Sequence, residues 1–399
     1  MSLSDAAGRI FGFRPARADL QETPARPRGE DSDLIDFASG ELDFEPPASL
    51  RRALAAAPGG PTHRRTGTAG LHELRVALAA RVTRTRRVVC APSQVLVTAG
   101  ARHGLHLACL ALLNQGDDVL VPQPAWGTFM AQIRLVGANP VGLDTRDTGF
   151  VPTVEGLEAL RTPRTRMIVL NTPNNPTGAV YPPERLAEIT EWAVRNDLWI
   201  LFDECYGDLV LPGAEHTHPV HLVAGARDHV VSFGSFSQSF AVPGWRVGWA
   251  YGPERVVSAL ADLQHHTTSS AGSAVQHGVL PAARGEEDAF LSEIRAVLRH
   301  RHGLARGLIA ELPHVTAPDP QGAHYFLLDA RSLLGRTLYG TRLDTADDLA
   351  GALVDHAQVA LAPGTAFGAE GRLRLSYGLP DDRIEEGLGR LGEVLAEVE

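Results

Sequence analysis

Two uninterrupted apolar runs set the terms for this chain. Arg166-Met167-Ile168-Val169-Leu170 and Leu198-Trp199-Ile200-Leu201-Phe202 show no polar alternation, so neither reads as a strand with one wet face. A strand apolar on both sides belongs in a parallel sheet covered by helices on both faces. The stretch from about Pro182 to Arg195 between the two runs supplies one such helix. Each run gives way at once to polar residues: Asn171-Thr172-Pro173-Asn174-Asn175-Pro176-Thr177-Gly178 after the first, Asp203-Glu204-Cys205-Tyr206 after the second. Open α/β sheets bind ligands beyond the carboxyl ends of their strands. Asp203 is therefore a candidate for a site, whereas the first segment, taken in isolation, is turn chemistry only.

Composition narrows the function. With 399 residues, 44% of them hydrophobic, the chain can bury a large core and is expected to form more than one domain. A formal charge of −10 argues against nucleic acid or an anionic membrane as a partner. No apolar run approaches the ~20 residues of a membrane span, and the arginine-bearing N-terminus lacks the apolar core of a signal peptide. Cys90, Cys109 and Cys205 are odd in number and far apart, which suits a reducing cytoplasm better than disulfides or zinc. Cytoplasmic localisation is the expectation. His265-His266 has no carboxylate or cysteine at ligand spacing, so no metal site is expected.

Further motifs lie along the chain. Gln94 to Thr98 reads as a strand, and Ala99-Gly100-Ala101-Arg102-His103-Gly104 then opens an apolar helix through Leu113. A tight glycine turn at a helix start presents free N–H groups and a positive dipole end, the basis of phosphate capture. Residues 116–126 run Gly-Asp-Asp-Val-Leu-Val-Pro-Gln-Pro-Ala-Trp, and residues 232–249 run Ser-Phe-Gly-Ser-Phe-Ser-Gln-Ser-Phe-Ala-Val-Pro-Gly-Trp-Arg-Val-Gly-Trp. Near the C-terminus come Pro363-Gly364-Thr365-Ala366-Phe367-Gly368 and Arg372-Leu373-Arg374-Leu375-Ser376-Tyr377.

This ordered series, from about residue 34 to the C-terminus, resembles the pyridoxal-phosphate enzymes of fold type I, the aspartate aminotransferase family (class I/II). The resemblance implies an α/β fold: a mostly parallel central sheet flanked by helices, with a smaller α+β domain. Residues 1–45 would be an N-terminal arm and first strand joining the small domain, 46–285 the large cofactor-binding domain, and 286–399 the small C-terminal domain. It also implies a homodimer whose active sites lie between subunits.

Site roles follow residue by residue from the resemblance. Gly100, Ala101 and Arg102, with Ser235, Ser237 and Arg246, would hold the phosphate of pyridoxal 5'-phosphate. Trp126 would stack on the pyridine ring, though a tryptophan there also suits a core. Asn175 and Tyr206 would bond the phenolic oxygen, and Asp203 would pair with the ring nitrogen. Arg374 would clamp the substrate carboxylate as a bidentate partner, with Arg372 at i−2 read as solvent-side support. Gly40 would let the backbone approach that carboxylate, although taken alone it equally suits an ordinary turn. Arg65 stands where the family has a tyrosine that reaches the partner's phosphate; a solvated arginine remains the bland alternative. His265-His266 would lie on a loop crossing the dimer near the site.

One departure governs the chemistry. The family pattern reads Ser-x-Ser-Lys, and here the lysine position is Gln238. The chain contains no lysine at all, so its 37 basic residues are all arginine and no other side chain can supply the amine. A glutamine amide forms no imine. The preferred reading is an aminotransferase, acting on an amino acid and a keto acid, in which a deliberate lysine-to-glutamine replacement traps the external aldimine. The rival is a natural chain that works without lysine. Leu42 and Arg65, both unusual for the family, keep open a lyase or synthase doing β- or γ-elimination or replacement, for example on S-adenosylmethionine. A non-catalytic cofactor-binding protein is a third possibility. Borohydride reduction in the presence of pyridoxal phosphate but no added amine should leave the mass of the protein unchanged. A stable gain equal to the reduced cofactor would overturn the non-covalent reading.

Overall fold

A computed structural model describes residues 6, 9, 33–57 and 63–399 of the chain. The irregular arm expected over residues 1–33 lies almost wholly outside the described residues. In chain order the strands are β1 (Ile35–Asp36), β2 (Val95–Thr98), β3 (Asp118–Gln123), β4 (Asn139–Asp144), β5 (Thr165–Asn171), β6 (Trp199–Asp203), β7 (Val230–Ser235), β8 (Gly248–Tyr251), β9 (Tyr325–Asp329), β10 (Thr337–Leu338), β11 (Thr341–Arg342), β12 (Val359–Ala360), β13 (Ala362–Pro363) and β14 (Arg372–Ser376). Seven of them form one sheet in the order β2-β8-β7-β6-β5-β3-β4, and β8 alone runs against its neighbours.

The two apolar runs are β5 and β6, and the alternation of side chains explains why they lack polar positions. Met167, Val169 and Leu201 pack on one face with Leu105 and Leu260, from the helices Ala101–Leu112 and Glu254–Thr267. Ile168, Leu170, Ile200 and Phe202 pack on the other with Leu186, Ile189 and Trp192, from the helix Pro183–Arg195. Both faces are dry, as the sequence requires.

A second, antiparallel sheet has the order β13-β14-β9. Its core joins Tyr325, Leu328, Leu373 and Leu375 to side chains of the helices Asp288–Ile309, Ala346–Ala357 and Asp381–Leu395. β1 pairs in parallel with β12, Ile35 opposite Val359, so the first described strand lies among the last elements of the chain. Among the described residues, no helix is long and apolar enough to cross a membrane.

One local expectation is corrected. His265 and His266, expected on a loop, form the last turn of the helix Glu254–Thr267. Buried Gln264 explains this: its amide donates to the Thr68 and Val97 carbonyls and fixes that turn to the core. β9 begins at Tyr325, beyond Ala323, which sits at φ 58°, a left-handed conformation no strand can hold.

Behind the carboxyl end of β6 lies a buried charge network. Arg86 donates to Glu204 at 2.6 Å and to Asp208 at 3.1 Å, and Arg81 donates to Asp208 at 2.7 Å. Tyr251 and His216 also bond Glu204. Burial works against the Glu204 charge, but Arg86 and His216 outweigh it and depress the carboxyl to about 2. Asp208 is likewise depressed by its two arginines. A depressed carboxyl stabilises the fold above its ordinary value of 4.5 and loses that contribution as the pH falls toward 2. Removing one partner of such a buried set strands the others. Arg86→Ala should therefore destabilise the protein at neutral pH by about 3–5 kcal/mol, read as a lower denaturant midpoint, with the deficit shrinking below pH 4.5. An unchanged midpoint would show that the network is decorative.

Candidate active site

The parallel strands deliver the site residues to one edge. In register, Asn171 lies opposite Asp203 and Asp203 opposite Phe233, so the segments after β5, β6 and β7 leave the sheet side by side. The Asn171 side chain joins two of them: its amide donates to the Asp203 carbonyl at 3.2 Å, and its oxygen accepts from the Asn175 N–H at 3.0 Å. Asp203 is 4% exposed. Its Oδ1 accepts the Cys205 N–H at 3.0 Å, and burial, helped by Glu204, raises the carboxyl to about 6. A cationic ring nitrogen beside it would reverse that shift. The Tyr206 hydroxyl is shared with that of Tyr325 at 2.8 Å.

The expected phosphate residues also converge. Gly100 caps the helix Ala101–Leu112 with φ 79°, and a Cβ there would come 2.8 Å from Nη2 of Arg246. Gly248 pairs with Ser235 and lies so close to the Ala101 nitrogen that a Cβ would stand 2.7 Å from it. Ser235 Oγ in turn accepts the Ser237 N–H at 3.1 Å. Backbone donors, two hydroxyls and a guanidinium thus share one corner, a cradle suited to an anion. The Arg102 guanidinium lies 4.8 Å from the Trp126 ring centroid, tying this corner to the half-buried indole. Arg65 is exposed.

The N-terminal turn closes the site opposite. Asp36 Oδ1 accepts the N–H groups of Ala38 and Ser39, which folds residues 36–40 into a turn. The Ala38 carbonyl then meets Arg374 Nη2 at 2.6 Å, while Nη1 donates to Asn175 Oδ1 at 2.9 Å. Arg374 is buried over the rings of Tyr325 and Phe367, and its Nε has no partner. Both acceptors are neutral, and among the described residues no carboxylate forms an ion pair with Arg374, although the Asp36 charge is near enough to be felt. Arg372 was expected on the solvent side, but it is buried and pairs with Asp329 at 3.2 Å, because both sides of β14 are covered. A Cβ on Gly40 would come 3.0 Å from the Tyr325 hydroxyl, which explains the glycine.

Gln238 lies between these halves. Its amide nitrogen donates to the Gly40 carbonyl at 3.3 Å, and its oxygen faces His324 Nε2 at 3.3 Å. His324 Nδ1 meets Ser376 Oγ at 3.0 Å. Burial and nearby Arg374 lower the imidazole to about 3, so it is neutral. Sequence reasoning gave His324, Ser376 and Tyr325 no site role. The available signal was a histidine inside an otherwise apolar segment, Ala323 to Leu328.

The residues present fit pyridoxal phosphate through its phosphate corner and its Asp203 end; they do not fit covalent attachment, since the chain has no lysine. Comparison with known proteins agrees with this geometry. The chain matches aminotransferase class I and II over residues 32–391. It is 38% identical to an aspartate aminotransferase of Streptomyces avermitilis, over 96% of this chain and 92% of that one. It is 34% identical to a probable aspartate/prephenate aminotransferase of Aquifex aeolicus, over 98% and 99%. Its fold superposes on a double mutant of Thermus thermophilus aspartate aminotransferase with TM-score 0.89 and 32% identity, covering 99% of this chain and all of that one. The chain belongs to the aminotransferase class I and II family, whose members use pyridoxal 5'-phosphate.

Proposed function

We propose that this chain binds pyridoxal 5'-phosphate and an α-amino acid together, as in amino-group transfer to a keto acid, and that Gln238 in place of lysine holds them joined with little turnover. When bound, the cofactor supplies an electron-withdrawing ring that acidifies the proton on the amino-acid Cα. Arg374 receives the substrate carboxylate through its fork. Asp203 keeps the ring nitrogen protonated, and Asn175 and Tyr206 donate to the phenolic oxygen. Asn175 suits that part because its oxygen is already taken by Arg374, leaving its NH2 group as the donor. Gly100, Ala101, Arg102, Ser235, Ser237 and Arg246 hold the phosphate, and Trp126 stacks on the ring. In a homodimer Arg65 reaches the phosphate of the other subunit. Gln238 has no basic lone pair, so it neither removes the Cα proton nor displaces product.

The observation that carries this reading is the buried Arg374, which among the described residues has no direct ion pair and which donates to Asn175, a proposed cofactor ligand. The names of the relatives, aspartate and aspartate/prephenate aminotransferases, support an acidic or bulky α-amino acid as substrate.

Two outcomes test it. Truncating one partner of a buried charged pair costs about 2–5 kcal/mol, so Arg374→Ala should weaken amino-acid binding by roughly 30-fold or more at about 1.4 kcal/mol per tenfold. Amines lacking a carboxylate should bind as before; the same pattern in Arg372→Ala would reassign the anchor. In the second test, the true amino-acid substrate should give the cofactor-loaded protein an absorbance change that persists for many minutes, with little keto acid released. Gln238→Lys should turn over about 10²–10⁴-fold faster, the usual worth of a general base. Equal turnover by the two proteins would make Gln238 part of a working mechanism and end the trapped reading.

A further inference from the structure

The hydrogen-bond directions around Gln238 are determined by the groups at the ends of the chain of contacts. The Gly40 carbonyl can only accept, so the Gln238 NH2 group must face it. The amide oxygen therefore faces His324, and Nε2 of that ring must carry the hydrogen. Nδ1 is then an acceptor, and the Ser376 hydroxyl donates to it. Ser376 Oγ itself accepts the Gly378 N–H at 3.4 Å, consistent with its hydrogen pointing at His324. Ser376 and His324 thus hold the Gln238 oxygen as a fixed acceptor. The Gly40 carbonyl already accepts from the Gln238 amide and, at 3.5 Å, from the Tyr325 hydroxyl, so the Gln238 oxygen is the acceptor this corner offers.

Replacing a lysine amine by this pair changes which form of the cofactor the site prefers. A lysine gives the aldehyde form a covalent bond; the amide gives it none. The amine form carries an ammonium, which a lysine would meet with like charge. Here it meets the Gln238 oxygen, and hydrogen bonds to a charged donor are the stronger kind. All phosphate and ring contacts are common to both forms, so the difference rests on this corner. We propose that the site selects pyridoxamine 5'-phosphate over pyridoxal 5'-phosphate, with Gln238 as the ammonium acceptor and His324 as the residue that positions it. No bond to the protein forms in this step. The inference rests on the cofactor site proposed above.

The test is calorimetric titration of the full chain with each cofactor form separately, without substrate. Pyridoxamine phosphate should bind about tenfold or more tightly than pyridoxal phosphate, as expected when a charged hydrogen bond is gained. Gln238→Lys should invert the order. His324→Gln, which keeps a donor near the Nε2 position, should retain the preference, whereas His324→Leu should bring the ratio close to one. Ser376→Ala frees the ring to present either nitrogen and should also lower the ratio, giving a second probe if His324→Leu does not fold; unliganded melting curves establish which variants are intact. Equal or tighter binding of pyridoxal phosphate by the unaltered chain would overturn the inference while leaving the cofactor site standing. A folded His324→Leu protein, or in its absence Ser376→Ala, that keeps the full preference would remove His324 from it. If neither form binds, the cofactor site itself fails, and this inference with it.

Discussion

The candidate site depends on one buried guanidinium. Arg374 belongs to β14 of the smaller sheet, yet its donors end on Ala38, 336 residues away in sequence, and on Asn175, 199 residues away. A single side chain thus draws together the N-terminal turn, the loop after β5 of the larger sheet, and the strand that carries it. Burying a cation with only neutral acceptors is costly. The arrangement is sustained by the flat faces of Tyr325 and Phe367, which supply cation–π attraction within 5 Å. A carboxylate at Nε would satisfy the last donor and the charge together.

The same logic of placing charge separates Asp203 from its neighbour Glu204. Both carboxyls are deeply buried, and they follow one another at the end of β6. Glu204 turns toward Arg86, Tyr251 and His216 and is held ionised. Asp203 turns toward the site with one backbone donor, and its charge is disfavoured by burial and by Glu204 itself. The inner network therefore does more than stabilise the fold. It fixes a negative charge beside Asp203 that makes the latter hungry for a cation, which is the property a partner of a ring nitrogen needs. Ser239, next to Gln238, bonds Asp208 in the same network, so the two ends of the site share one foundation.

Most of this architecture was legible in the residues. The dry strands β5 and β6 announced a covered parallel sheet. The glycine turn at Gly100 suggested an anion by itself, whereas Ser235 and Ser237 acquired that role only through the family resemblance. Less legible were contacts that depend on pairing across distant segments. Nothing in Arg372-Leu373-Arg374 told which arginine had a counter-charge, because Asp329 reaches Arg372 only through the antiparallel pairing of β9 with β14. The extra helical turn through His265 and His266 likewise depended on where the Gln264 amide finds its acceptors.

His324 shows the limit most clearly, and also why the substitution at 238 is not an isolated event. Read alone, a histidine in an apolar strand is a core residue with a hydrogen bond. Read alone, Gln238 is a lost nucleophile. Placed together, they form one unit whose donor directions run from Ser376 to Gly40 without a mismatched pair. An amide left without such partners in a half-buried pocket would forfeit its hydrogen bonds to water and destabilise the closed arrangement of the two sheets. A protonated amine at 238 would instead meet the Nε2–H of His324 donor to donor, unless the ring reversed its tautomer and Ser376 reversed its hydroxyl. The environment of residue 238 is therefore matched to an amide and mismatched to an ammonium. Such matching couples residue 238 to residue 324, so a change at one resets the tautomer required of the other.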